Sequence, residues 1–247
     1  MNVALNYSDV LTVIPARLES VRLPRKALAE IHGKPLIYWV ASRVSRLCPT
    51  EYVVATDSPL IAETCENFGL TFIMTSSSCE NGTERVFEVA QNFSDYSYFM
   101  NVQGDEPLFN PSVLTKMLQT IGFRDNSFKI SVSQSTQDLN DSSEAKVAIQ
   151  SDGRIRYVSR SAIPFDREGK TRPYKVQGVF LYARQVLERF VNSPVGALEQ
   201  TEKLEQLRCI ENDIELFAIF CDGSPRSIDT PADLEYYRGL PREIFED

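Results

Sequence analysis

The sequence predicts an α/β fold: a mainly parallel sheet flanked by helices, with an antiparallel strand insertion in the second half. Through the first half, short apolar runs alternate with segments of helical spacing, the pattern of strand–helix–strand units. Apolar runs end in turns that carry polar residues, as where Tyr98-Phe99-Met100 leads into Asn101-Val102-Gln103-Gly104-Asp105-Glu106-Pro107. The insertion is predicted by Ser151-Asp152-Gly153, a turn signal between two short strand-like runs.

In order, residues 10–14 are an apolar run ended by Pro15, the first strand. Residues 35–47 place Leu36, Val40, Val44 and Leu47 on one helical face. A second strand at 52–55 is followed by Thr56-Asp57, a helix at 59–68 is ended by Gly69, and a third strand runs over 70–74. A helix at 83–93, a fourth strand at 98–102 and a helix at 111–121 ended by Gly122 complete the alternation. Beyond it, strands are expected at 128–132, 146–149, 154–159, 176–182 and 214–220, with a helix at 200–210 that turns Leu204 and Leu207 inward. A last helix starts at Pro231, with Thr230 as its cap. The expectation is one α/β domain over residues 1–247, the insertion covering 137–212 within it. No internal repeat or low-complexity segment interrupts the pattern.

The 247 residues, 43% of them hydrophobic, have the composition of a globular chain. A net charge of −8 argues against a nucleic-acid binder. Residues 1–46 nevertheless carry +4, which leaves −12 for the rest and points to a local anion site. The five cysteines are scattered and form no Cys-x-x-Cys pair, so neither a zinc site nor a disulfide framework is indicated. The first ten residues lack the basic start and apolar run of a signal peptide, and no apolar stretch approaches a membrane span. A reduced, cytoplasmic protein without nucleic-acid or membrane partners is expected.

Neither Gly-x4-Gly-Lys-Ser/Thr nor Gly-x-Gly-x-x-Gly occurs; the closest glycines, Gly169 and Gly178, are nine apart. A nucleotide would therefore be held largely by side chains. The loop after the first strand supplies Arg17, Arg22, Arg25 and Lys26, four cations in ten positions, at the strand's carboxyl end where open α/β sheets bind ligands. Asp105 has the same placement after the fourth strand, and a carboxylate there suits magnesium and the phosphate it carries. The alternatives are a solvated basic loop and an acidic turn facing water.

The motifs then carry a resemblance. Ile14-Pro15-Ala16-Arg17, Ser20, Arg22-Leu23-Pro24, Lys26 and Gly33-Lys34-Pro35 resemble the opening of the sugar nucleotidyltransferases. Val54-Ala55-Thr56-Asp57, Gly82-Thr83-Glu84-Arg85, the stretch from Asn101 to Pro107, Lys146-Val147, Ser159-Arg160-Ser161-Ala162-Ile163-Pro164, Leu204-Glu205-Gln206-Leu207-Arg208 and Asp229-Thr230-Pro231 narrow it. In order, from about residue 10 to 238, the set resembles the CMP-Kdo synthetases, the 3-deoxy-manno-octulosonate cytidylyltransferases. The resemblance implies a Rossmann-like sheet of the nucleotide-diphospho-sugar transferase type. It also implies CMP transfer from CTP to a 3-deoxy-ulosonic acid, Mg2+ as cofactor, a homodimer, and supply of Kdo for lipopolysaccharide or another surface polysaccharide. The insertion would serve sugar binding and dimerisation.

By the same resemblance Asp105 and Asp229 are the metal ligands. Ala16, Arg17, Arg22, Lys26, Thr83 and Arg85 are the nucleotide-binding residues, with Arg17, Lys26 and Asp105 central to catalysis. Arg160, Gln177, Glu205 and Gln206 bind the sugar, Arg160 gripping the sugar's carboxylate, and Gln103, grouped with them, sits where the family binds the sugar or the cytidine. Lys146 matches a family lysine of underived task. The only histidine, His32, sits in a turn and is expected to be non-catalytic.

The chain departs from the family in three places. Arg25 stands where the family has glycine in Arg-Leu-Pro-Gly-Lys-Pro-Leu. Cys79 stands where histidine is common ahead of Gly-Thr-Glu/Asp-Arg. Gln177 replaces a histidine of the sugar site, exchanging a ring that can charge for a neutral amide. A cytidylyltransferase for a different ulosonic acid, such as an amino-Kdo, is therefore the alternative. A non-catalytic nucleotide-sugar binding protein is a third reading, against which Asp105, Asp229, Arg17 and Lys26 speak.

Overall fold

The computed structural model describes residues 7–134, 141–170, 172–223 and 226–246. The opening segment 1–6 and the expected start of the insertion at 137 lie outside the described residues. The chain divides into two compact units: Met1–Pro111 with Pro225–Asp247, and Ser112–Ser224.

The first unit begins with β1 (Val10–Ala16) and a single 3-10 turn at Lys26–Leu28, then β2 (Glu30–Ile31) and β3 (Lys34–Pro35), a short antiparallel pair. It continues through α1 (Leu36–Leu47), β4 (Glu51–Thr56), α2 (Pro59–Asn67), β5 (Phe72–Met74), α3 (Gly82–Asn92) and β6 (Tyr98–Val102). Four strands pair in parallel in the order β6-β1-β4-β5, with Val13 of β1 opposite Asn101 on one side and Val53 on the other. Val10, Val13, Ile14, Val54 and Ala55 are fully or almost fully buried, as strands covered on both faces must be. Because the pairing is parallel, the carboxyl ends of β1, β4 and β6 share one edge.

The helices follow the expected spacing. Leu36, Val40 and Val44 of α1 are buried together with Ile37, Trp39 and Ala41. Pro59 opens α2 behind Ser58, whose side chain accepts from the Ile61 N–H. Asn81 caps α3 by accepting from the Glu84 N–H at 2.9 Å.

The second unit holds α4 (Ser112–Leu118), β7 (Ser127–Gln134), β8 (Lys146–Ile149), β9 (Ile155–Ser159), β10 (Tyr174–Ala183), α5 (Arg184–Val191), α6 (Ala197–Glu202), α7 (Gln206–Glu211) and β11 (Glu215–Phe220). Here the pairing is mixed. β11 runs parallel to β7, β10 antiparallel to β7, and β8 antiparallel to both β10 and β9. The β8–β9 hairpin turns where expected. Gly153 has φ +91° and lies against the Phe217 ring, which would stand 2.7 Å from an added Cβ, so only glycine fits. Phe128 packs edge to face against Phe180, Tyr182 and Phe190, with ring centroids 4.7–5.8 Å apart.

Beyond the short β2–β3 pair, a last helix at Glu243–Glu246 and the earlier end of α4, two larger features differ from the sequence-based expectation. The helix expected over 200–210 is two helices, α6 and α7, because Lys203 adopts the left-handed conformation (φ 54°) that ends α6. Helix α5, which buries Val186, Leu187 and Phe190, follows β10 with no turn residue to announce it. The chain closes with α8 (Pro231–Arg238) and α9 (Glu243–Glu246), which belong to the first unit. Among the described residues no helix is long and apolar enough to cross a membrane.

Candidate functional site

The first unit gathers its charged residues at the carboxyl ends of β1 and β6. After β6 the chain turns through Gly104, where an added Cβ would stand 3.2 Å from the Pro15 carbonyl oxygen. This close approach brings the Asp105 loop against the end of β1. The Ile228 N–H donates to the Asp105 carbonyl over 2.9 Å, and the Ser227 hydroxyl donates to Glu106 Oε1 over 3.1 Å. These bonds carry the segment before α8 to the same place and so deliver Asp229.

Asp229 is oriented from behind by the start of α8. Asp233 Oδ2 accepts from the Asp229 N–H at 3.1 Å, the Thr230 N–H at 2.8 Å and the Thr230 hydroxyl at 2.8 Å. Thr230 accepts in return from the Asp233 N–H, a complete capping box. Arg226 pairs with the other oxygen of Asp233. Burial works against the Asp233 charge, but these donors outweigh it and hold its carboxyl below the ordinary carboxylate value.

Lys26 joins the two loops. Its Nζ donates to Asp105 Oδ2 at 2.7 Å and to Asp229 Oδ1 at 3.0 Å, and Arg22 reaches the same Asp229 oxygen at 3.0 Å. Burial disfavours the ammonium, yet the Asp105 and Asp229 carboxylates prevail and raise Lys26 above the ordinary lysine value. Asp105 Oδ1 is buried and has no hydrogen-bond partner among the described residues. Two carboxylates converging on one cation, with an oxygen left over, form a hard-oxygen donor set that can hold a divalent ion.

The other nucleotide-side candidates divide. Ala16 is the buried last residue of β1, opposite Thr56. Arg17 is exposed. Thr83 is fully buried in the first turn of α3, beside Gly82, whose added Cβ would stand 3.5 Å from Asn101 Nδ2. Arg85 is buried as well, its guanidinium bonded to the Thr75 hydroxyl and to Asp57 Oδ2, so it ties the ends of β4 and β5 to α3. Gln103 is half-buried at the end of β6, two residues before Asp105.

Arg160, Gln177, Glu205 and Gln206 belong to the second unit. The Arg160 guanidinium donates to the carbonyls of Glu202 at 2.9 Å, Ser142 at 2.8 Å and Lys203 at 3.4 Å. It is thereby fastened at the α6–α7 junction where Glu205 and Gln206 follow. Gln206 is 5% exposed, so its amide is not part of a solvated helix face. Gln177 sits where β10 bulges, since residues 176 to 180 of β10 span only 132 to 130 of β7. The Ser131 hydroxyl closes that bulge onto the Val179 carbonyl at 2.7 Å, and Gln177 Nε2 donates to the Gly223 carbonyl.

The structure supplies what the sequence left open. Lys146 is fully buried and its ammonium caps the carbonyls of Asp141 and Arg160, which positions the segment that carries Arg160. His32 has a left-handed backbone, its Nε2 lies 2.9 Å from the Leu240 carbonyl oxygen and its ring meets Phe245 edge-on. Cys79 donates to Glu88 Oε2 at 3.0 Å, and burial, then this bond, push its thiol up to about 12. Asp233 is the residue that sequence reasoning passed over; Thr230-x-x-Asp233, a capping-box pattern, was its signal.

Known proteins resemble this chain over most of its length. The family described as Cytidylyltransferase matches residues 11–216. The chain is 39% identical over 233 residues to a 3-deoxy-manno-octulosonate cytidylyltransferase of Acidobacterium capsulatum, covering 92% of this chain and 94% of that one. It is 36% identical to the enzyme of the same name from Elusimicrobium minutum, covering 93% and 97%. A solved structure of a CMP:2-keto-3-deoxy-manno-octonic acid synthetase complexed with CTP superposes with a TM-score of 0.85 at 34% identity, covering 94% of this chain and 97% of the other. A 4-diphosphocytidyl-2C-methyl-D-erythritol synthase from Anaerococcus prevotii, 15% identical with a TM-score of 0.61, shares the fold.

Proposed function

This chain belongs to the cytidylyltransferase family, among the 3-deoxy-manno-octulosonate cytidylyltransferases, and on that premise we propose that it transfers CMP from CTP to the 2-hydroxyl of Kdo, releasing pyrophosphate. The observation that carries the reading is the Lys26 ammonium bound to both Asp105 and Asp229 at the carboxyl edge of the sheet. The product would feed lipopolysaccharide or another surface polysaccharide. CTP as substrate places the reaction in the cytoplasm, and the five cysteines, all free thiols, suit that compartment.

In this reaction the sugar hydroxyl oxygen forms a bond to the α-phosphorus while the bond to pyrophosphate breaks. Catalysis of such a transfer is mainly positioning and charge neutralisation. Lys26, Arg22 and Arg17 supply positive charge beside the phosphate chain. Ala16, Thr83 and Arg85 shape the nucleotide side, Arg85 by holding the ends of β4 and β5. Gln103 offers an amide that both donates and accepts to a hydroxylated substrate. On the sugar side, Arg160 has the fork geometry for a carboxylate, with Gln177, Glu205 and Gln206 for hydroxyls. Asp105 and Asp229 would hold Mg2+, which when bound would neutralise phosphate charge and acidify the attacking hydroxyl. No imidazole is available as a base, since His32 is committed to Leu240 and Phe245. The working form is a homodimer, which light scattering in solution tests.

Gln177 favours a second reading in which the acceptor is another ulosonic acid, such as an amino-Kdo. Pyrophosphate release from CTP against a panel of ulosonic acids decides between them. Robust turnover of Kdo is expected. Turnover of another acid with none of Kdo would replace it by the second reading, and no release with any acid would reject both.

A further inference from the structure

Of the four cations in the loop after β1, two already have carboxylates: Lys26 is on Asp105 and Asp229, and Arg22 on Asp229. Their charges cancel those of the two aspartates. The guanidinium groups of Arg17 and Arg25 have no ion pair or hydrogen bond among the described residues, and both residues are exposed. With those pairs in place, the cations of this loop that carry no carboxylate partner among the described residues are Arg17 and Arg25.

Arg25 is held in a conformation that its side chain disfavours. Its φ of 55° and ψ of 35° lie in the left-handed region, where a glycine would sit without steric cost. The Leu28 N–H closes the turn onto the Arg25 carbonyl at 2.9 Å, and buried Leu23 and Ala27 anchor the loop on either side. The backbone of Arg25 is thus fixed, immediately before Lys26, while its guanidinium is turned outward. A strained residue kept on a cationic loop beside a reaction centre is a reason to look for function.

We propose that Arg25 is a further phosphate contact of this chain, gripping the phosphate chain of the nucleotide and, after transfer, the pyrophosphate. The proposal rests on the cytidylyltransferase reading of the site and adds a residue to it. Arginine suits the task because its fork engages two phosphate oxygens at once.

Inorganic pyrophosphate with magnesium, titrated calorimetrically into wild type, Arg25→Gly and Arg25→Lys, tests it. Arg25→Gly keeps the left-handed backbone without strain, so it is expected to fold with a melting temperature at or slightly above that of wild type. It should bind pyrophosphate about five- to tenfold more weakly. The salt dependence of binding should be shallower than in wild type, and Arg25→Lys should fall between the two. In turnover, the CTP KM of Arg25→Gly should rise by a similar factor with the sugar KM unchanged. Equal pyrophosphate affinity in wild type and Arg25→Gly, no affinity in either, or equal changes in both KM values would overturn the proposal. A wild type that turns over no ulosonic acid but binds pyrophosphate through Arg25 would reject the function and keep the contact. Normal turnover with unchanged pyrophosphate binding in Arg25→Gly would reject the contact alone.

Discussion

The Lys26 ammonium lies 2.7 Å from Asp105 Oδ2, a bond between residues 79 apart in sequence. It holds the loop after β1 against the loop after β6, and Asp229 completes the group at 3.0 Å. A raised lysine contributes stability that is whole below its ordinary value of 10.5 and is lost as pH climbs through the raised value. Lys26→Met leaves two carboxylates facing each other. It should lower the melting temperature by an amount that is flat through neutral pH and shrinks only above 10.5, read from thermal melts across an alkaline series. Turnover should fall by about 100-fold or more, as when a charge-stabilising donor is removed.

Asp105→Asn keeps the shape of the side chain and removes its charge. Magnesium-dependent pyrophosphate release should be lost, and Mn2+ binding followed by electron paramagnetic resonance should weaken with it. A wild-type rate would remove Asp105 from the metal assignment.

Asp233 makes no hydrogen bond or ion pair with Lys26 or Asp105, yet it accepts from the Asp229 N–H. Asp233→Ala should destabilise the protein by about 1–2 kcal/mol in urea unfolding, through the lost cap and the lost partner of Arg226. It should also lower kcat, because the Asp229 N–H loses its acceptor. A depressed carboxylate contributes stability above its ordinary value of 3.8 that disappears as pH falls through the depressed one. The difference between wild type and Asp233→Ala should therefore be constant at neutral pH and close only below 3.8.

Gln177→His should change the KM of the sugar more than that of CTP in steady-state kinetics. Equal effects on both would place Gln177 outside sugar recognition.

Much of this was legible in the sequence. The principal strands and helices through residue 118 follow from apolar runs and helical spacing, because β1, β4 and β6 are buried over most of their length and each helix buries one face; the short β2–β3 pair carried no such signal. The hairpin at Gly153 was legible because Ser151-Asp152-Gly153 is a turn signal between two strand-like runs; the aromatic ring that admits only glycine there is a tertiary contact. The break at Lys203 was not, since lysine is an ordinary helix former and only the junction fastened by Arg160 asks it to turn left-handed.

Sequence alone determined which residue types stand at the strand ends: four cations after β1, an aspartate after β6 and an aspartate before α8. Local spacing fixes such placements. Only the tertiary structure decided how those charges are shared. Lys26 and Arg22 answer Asp105 and Asp229, Arg85 is buried against Asp57 and Thr75, and Arg17 and Arg25 remain open. The reason is that an ion pair depends on distance and burial across the fold, and sequence separation carries neither.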